Sequence, residues 1–195
     1  MYTNPFSSAW GSPESRESNG WSSVGSVPPT FGVLPSMEDI PSAMIFTFNM
    51  PNSSILNCSV FGSNAAPYFT ITTNSTSTTI HRRSGEVFAV INWQSHPTIQ
   101  ARGVLDPQRT AQWLRLSQDR KRRNMVVNGR AYTWYPRGNA ICLHGTDTSA
   151  AGEIARITRA NNSVTLQLSI SAFNSGFFET SILATILFLS GRDID

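Results

Sequence analysis

The sequence predicts a mainly β domain, a closed or nearly closed barrel of short strands threaded by its own last helix. Two observations carry that reading. The first is the C-terminal run Phe177-Phe178-Glu179-Thr180-Ser181-Ile182-Leu183-Ala184-Thr185-Ile186-Leu187-Phe188-Leu189. A helix that is apolar on every side is buried on every side. At ~1.5 Å per residue it spans roughly 20 Å, short of a bilayer core of about 30 Å. Protein rather than lipid is the expected surrounding. The second observation is the train of about ten short, alternating segments before it, a spacing that indicates a barrel or a sandwich. A helix without a polar face favours the barrel, which offers an interior.

The first residues stand apart in composition. Residues 1–42 are dense in Ser, Pro and Gly, as in Gly11-Ser12-Pro13 and Val27-Pro28-Pro29, with no sustained period. Such a chain buries too little apolar surface to offset the entropy of ordering it. A disordered tail at 1–42 and a folded domain at 43–195 are therefore expected. Trp10 and Trp21 in the tail are candidate docking anchors for a protein partner.

The elements follow in order. Met44 to Met50 alternates, with Phe46 and Phe48 on one face and Thr47 and Asn49 on the other. Pro51-Asn52 turns the chain into a second strand over Ser54 to Val60. Tyr68 to Thr73, Thr78 to Arg83, Val87 to Trp93 and Thr98 to Val104 continue the series, rich in β-branched and aromatic residues. Asp106-Pro107 then reads as a helix start, an N-cap oxygen followed by the proline tolerated at the first helical position. A short helix over Gln108 to Leu116 is expected, with Trp113 and Leu116 inward. Asn128-Gly129 is the strongest hairpin signal, because both residues accept the positive φ of a tight turn. It joins Asn124–Val127 to Arg130–Tyr135. Ala140 to Leu143, Ile154 to Thr158 and Val164 to Ala172 complete the strands, the last with Val164, Leu166, Leu168 and Ile170 on one face. Asn174 and Ser175 offer N-cap oxygens to the final helix, and Gly191 a stop.

Charge is distributed unevenly. The formal net charge is +3, yet His81 to Arg137 holds ten arginines and the chain's one lysine, Lys121, against Glu86, Asp106 and Asp119. Such a local excess attracts phosphate-bearing partners. No secretory signal opens the chain and no segment is a membrane span. An intracellular protein follows as the expectation, cytoplasmic or membrane-peripheral, with the nucleus as an alternative. Cys58 and Cys142 then stay reduced, and Cys142-x-His144 is too sparse for zinc. No cofactor or metal is expected. Neither is catalysis, since G-x-S-x-G, P-loop, H-E-x-x-H and G-x-G-x-x-G motifs are all missing from the sequence.

A resemblance adds to this. It rests on Phe46-Thr47-Phe48 with Ser54-Ile55-Leu56, Tyr68-Phe69-Thr70-Ile71-Thr72-Thr73, Thr78-Thr79-Ile80-His81-Arg82 and Ile91-Asn92-Trp93. Asn128-Gly129-Arg130-Ala131-Tyr132-Thr133-Trp134 and the closing helix complete it. Together these resemble an uncharacterised fungal family of the Tubby C-terminal-like superfamily, over roughly residues 43 to 192. The resemblance implies a closed β-barrel of about twelve strands around a hydrophobic C-terminal helix. Related branches include phosphoinositide-binding adaptors, phospholipid scramblases and plant defence-related proteins.

The candidate site is basic. Arg120, Lys121, Arg122 and Arg123, with Arg130 and Arg137 after the hairpin, supply groups that bind phosphate oxygens. Alternation sets Arg130 beside Tyr132 and Trp134 on one strand face. The leading expectation is a non-enzymatic binding module for anionic phosphate, most plausibly a phosphoinositide or other anionic phospholipid headgroup at a membrane surface. The alternatives are a protein-interaction scaffold using the tail, and nucleic-acid binding through the same basic patch.

Overall fold

The computed structural model describes residues 43–64, 66–146, 152–160 and 162–195. The tail at 1–42 and its tryptophans lie outside the described residues. The first seven strands are β1 (Ala43–Asn49), β2 (Cys58–Phe61), β3 (Pro67–Thr73), β4 (Ser77–Arg82), β5 (Val87–Asn92), β6 (Thr98–Ala101) and β7 (Leu105–Arg109). After α1 (Thr110–Trp113) come β8 (Arg115–Leu116), β9 (Arg123–Val127), β10 (Arg130–Arg137), β11 (Ala140–Gly145), β12 (Glu153–Ala160) and β13 (Ser163–Ser169). The chain ends in α2 (Ile170–Asn174) and α3 (Phe177–Leu189).

All thirteen strands join one antiparallel sheet in the order β7-β6-β5-β4-β3-β2-β1-β13-β12-β11-β10-β9-β8. Each half runs as a meander, and β1 pairs with β13 along their full lengths, Ala43 opposite Ser169 and Asn49 opposite Ser163. The two edge strands, β7 and β8, are consecutive in sequence, with only α1 between them. Among the described residues, hydrogen bonds do not close the sheet. This corrects the expected closed barrel of about twelve strands: β8 pairs only at Arg115–Asn124 and Leu116–Arg123, so the ladder stops at a seam.

The sheet nevertheless wraps α3. Phe178 lies 4.4 Å from Phe46 of β1 and 5.6 Å from Phe69 of β3, ring centre to ring centre. Phe177 meets Tyr132 of β10 edge-on at 4.7 Å, and Phe188 meets Trp134 at 5.5 Å. Of the thirteen residues of α3 only Glu179 and Leu189 escape full burial. Two of its three buried hydroxyls turn back on the helix, Thr185 donating to the Ser181 carbonyl at 2.7 Å and Thr180 to the Phe177 carbonyl at 3.1 Å, while the Ser181 hydroxyl has no partner among the described residues. Polar atoms inside a core need such partners.

Alternation explains the wall. In β13, Val164, Leu166 and Leu168 are fully buried while Ser163, Thr165 and Gln167 are half-buried. Ile170 departs from the expected stripe, because the strand ends at Ser169, whose hydroxyl accepts from the Ala172 amide and starts α2. Ile170 is left 47% exposed. The second strand is shorter than expected, as Ser54–Asn57 is spent in a turn before Cys58.

The Asp106-Pro107 signal is also overturned. Both residues lie within β7, and the helix reduces to Thr110–Trp113, without a side-chain cap. A proline's missing N–H costs nothing on an edge strand, so the same dipeptide suits the sheet's rim. Neither Asn174 nor Ser175 caps α3; that position belongs to Gly176 at φ 82°. Gly191, at φ 68°, does stand just beyond the helix end as expected.

Candidate functional site

The basic segment folds as the turn between β8 and β9. Ser117 organises it: its amide donates to the Arg122 carbonyl at 2.9 Å, and its hydroxyl accepts from the Arg122 amide at 3.1 Å. Asp119 accepts from the Ser117 hydroxyl at 2.5 Å and from the Lys121 amide at 3.0 Å. The hydroxyl first, and then the amide, hold its carboxyl below the usual carboxylate range. Arg120 takes the left-handed conformation, φ 55°, that the tight turn requires. Both bonds fall on Asp119 Oδ1, one from a side chain and one from the backbone, and Arg120, Lys121 and Arg122 are exposed around the turn.

Register brings the next strand to them. The β9–β10 register ends with Trp134 opposite Arg123, and the next residues of β10, Tyr135 and Pro136, border the turn. Arg120, Lys121, Arg122, Tyr135 and Pro136 line one open depression of about 560 Å³. Arg137 is exposed at the end of the same strand. Arg122 reaches Asp119 at 3.8 Å and also borders the seam, a cleft of about 1070 Å³ that includes Trp113, Arg115 and Val126.

The other predicted residues go elsewhere. Arg123 is fully buried and grips Asp195 through two hydrogen bonds, 2.9 and 2.7 Å. It points inward because β9 alternates, Arg123, Met125 and Val127 being buried and Asn124 and Val126 exposed. Its terminal nitrogens are taken up by Asp195 and the Leu114 carbonyl, and its Nε is buried without a partner among the described residues, so the cation belongs to the core. Arg130 stands at the opposite end of β10, seven residues from Arg137 and so about 23 Å away along an extended strand. Tyr132 and Trp134 do share a face, but it is the interior one. Trp134 is fully buried, donates to the Met125 sulfur at 3.3 Å, and packs on α3. They are core residues, not a stacking platform.

Sequence reasoning missed Tyr135, Pro136 and the turn-building pair Ser117 and Asp119. The Ser-x-Asp spacing before a basic run was the available signal, since such side chains bond the backbone two residues on. Burial, chiefly, raises the Tyr135 hydroxyl above its usual range, although Arg137 and Arg122 pull the other way. Its ring lies 5.0 Å from His144, which faces Glu153 at 3.9 Å. Burial lowers the His144 pKa against the Glu153 charge. Glu153 itself is held by Arg156 at 2.5 and 2.9 Å. Among the described residues no group of three or more His, Cys, Asp or Glu side chains is arranged to hold a metal ion. No helix among them is long and apolar enough to cross a membrane.

The sequence profile of the family of unknown function DUF6593 matches residues 53–192. The chain belongs to that family. The matched span runs from the turn before β2 to the residues beyond α3, and so contains the basic turn and its neighbouring strand. Nothing among curated proteins matches it. Among solved structures, the X-ray structure of a protein from Arabidopsis thaliana is similar with a TM-score of 0.42 and 9% identity, over 76% of this chain and 91% of that one.

Proposed function

We propose that this DUF6593 domain is a non-enzymatic recognition module for anionic phosphate groups, engaged at a membrane surface through Arg120, Lys121, Arg122 and Arg137. One observation carries the reading. Three basic side chains, Arg120, Lys121 and Arg122, line one depression, Arg137 follows directly on the bordering strand, and the turn itself occupies Asp119 Oδ1 while Oδ2 lies 3.8 Å from Arg122. Guanidinium forks suit phosphate oxygens, and each cation near an anionic bilayer contributes about 1 kcal/mol. We also read the sheet wrapped around α3 as a Tubby C-terminal-like fold, a kinship supported by the internal helix and the meander on either side of β1 and β13.

Flotation with phosphatidylcholine vesicles, with and without phosphatidylinositol bisphosphate, tests the function at low salt, where screening is weakest. The protein is expected to float with the anionic vesicles alone. The double variant Lys121→Glu, Arg122→Glu is expected to stay at the bottom with an unchanged circular dichroism spectrum. Equal recovery from both vesicle types, or none from either, would remove the reading.

A further inference from the structure

The opposite mouth of the sheet, where α3 begins, holds a second concavity of about 300 Å³. Its floor is apolar: Phe178 from the first turn of the helix, Phe69, and Pro67. The floor is also rigid. Phe178 is packed by Phe46, Phe69, Phe173 and Tyr68, all with ring centres between 4.4 and 5.6 Å. Tyr68 in turn is pinned by Gly62, where a Cβ would come within 2.7 Å of the ring.

Two cations, Arg82 and Arg83, line the same concavity. The Arg82 guanidinium lies 4.5 Å from the centre of the Phe88 ring and meets Glu179 through one contact at 3.6 Å. A guanidinium over a ring still has N–H groups to donate to an anion. Arg83 is exposed and has no ion pair among the described residues. Two cations against the Glu179 carboxylate leave room for one further negative charge.

We propose that this mouth binds a single-tailed amphiphilic monoanion, such as a medium-chain carboxylate, with its apolar body on Phe178, Phe69 and Pro67 and its head group at Arg82 and Arg83. Ligand sites in barrel mouths combine an apolar lining with a few placed polar groups, and span about 300–1,000 Å³. A cavity at the small end of that range admits one chain rather than a two-chain lipid. The site is independent of the basic rim, since the thirteen residues of α3, roughly 20 Å of helix, separate the two ends of the sheet.

Isothermal titration of the full chain with decanoate tests this, with decyltrimethylammonium as the charge control. Decanoate is expected to bind at one site and the cation not to bind. Arg83→Glu, at an exposed turn position, is expected to weaken decanoate by about tenfold or more. Ser84→Trp, which places a bulky ring on the same wall, is expected to abolish binding. The rim variant Lys121→Glu, Arg122→Glu is expected to bind decanoate as well as wild type, whatever its vesicle binding. Equal affinity for both amphiphiles would overturn the proposal. So would an unchanged affinity in Arg83→Glu, or an Arg83-dependent interaction seen only with phosphatidic acid vesicles and never with free decanoate.

Discussion

Arg123 and Asp195, 72 positions apart in sequence, form a bidentate ion pair in which the guanidinium is fully buried and the carboxylate partly open. The same guanidinium donates to the Leu114 carbonyl at 2.8 Å. Nearby, the Thr110 hydroxyl donates to the Ile194 carbonyl at 2.5 Å, and Ile194 itself is buried. The residues after α3 therefore seal the sheet where its ladder is broken, by bonding to the strand and helix on either side of that break. Side chains do there what strand pairing does elsewhere.

Replacing Asp195 by Asn strands the Arg123 cation inside the protein. Removing one partner of a buried pair costs about 3–5 kcal/mol, and the open side of Asp195 brings the expected loss to on the order of 2–4 kcal/mol. Urea unfolding at neutral pH measures it. The double variant Arg123→Met, Asp195→Asn is expected to be more stable than Asp195→Asn alone, because it takes the orphaned charge away. A loss below about 1 kcal/mol in the single variant, the range of exposed pairs, would show that the contact is peripheral.

Leu183 sits in the middle of α3 with no exposed surface. Leu183→Ala is expected to destabilise by about 2–5 kcal/mol through the cavity it leaves. Leu183→Asp is expected to unfold the domain, since an unpaired buried carboxylate costs several kcal/mol against a total of roughly 5–15 kcal/mol. Expression with loss of near-ultraviolet circular dichroism is the readout. A soluble Leu183→Asp protein with native spectra would mean that the helix is not internal.

The helix was legible because composition alone demands an interior for it: thirteen residues with one charge admit no solvated face. The Asn128-Gly129 hairpin was legible for a local reason, and the structure shows it at φ 51° and 75° with Val127 opposite Arg130. What could not be read was anything that depends on where distant segments meet. Arg123 looks like its three basic neighbours in sequence, and only the alternation of β9 and the return of Asp195 make it a core residue. Asp106-Pro107 satisfies both a helix start and an edge strand, and tertiary pairing with β6 decides between them. The candidate site was half legible. Arg120, Lys121 and Arg122 do gather, but the strand they gather against contributes Tyr135 and Pro136 rather than Arg130, Tyr132 and Trp134.

Both cysteines are free and buried, Cys58 donating to the Ile55 carbonyl at 3.1 Å. Burial pushes the Cys58 thiol up to about 12. Burial first, and then the Glu153 charge, push Cys142 to about 11. The thiolate is the reactive form, so neither is expected to react with iodoacetamide at pH 8 while the domain is folded. Both are expected to react within minutes in denaturant. Mass spectrometry of the alkylated protein counts the adducts. Rapid labelling of either thiol in native buffer would mean that its wall opens locally.

The two ends of β10 make opposite predictions about the proposed anion surface. Arg137 directly follows Tyr135 and Pro136, which border Arg120, Lys121 and Arg122, whereas Arg130 lies beside the Asn128-Gly129 turn, near Ser175, whose carbonyl accepts from the Asn128 side-chain amide at 3.3 Å. Arg137→Glu is therefore expected to weaken anionic vesicle binding by about ten- to thirtyfold, given about 1 kcal/mol for the charge lost and a similar penalty for the charge gained. Arg130→Glu changes net charge by the same amount and is expected to change binding by less than about threefold, since at about 23 Å it is more than two Debye lengths away in physiological salt. Cosedimentation of the two variants side by side separates a localised rim from a general effect of net charge. Equal losses would assign binding to the overall charge of the domain, and a larger loss at Arg130 would move the surface to the opposite mouth.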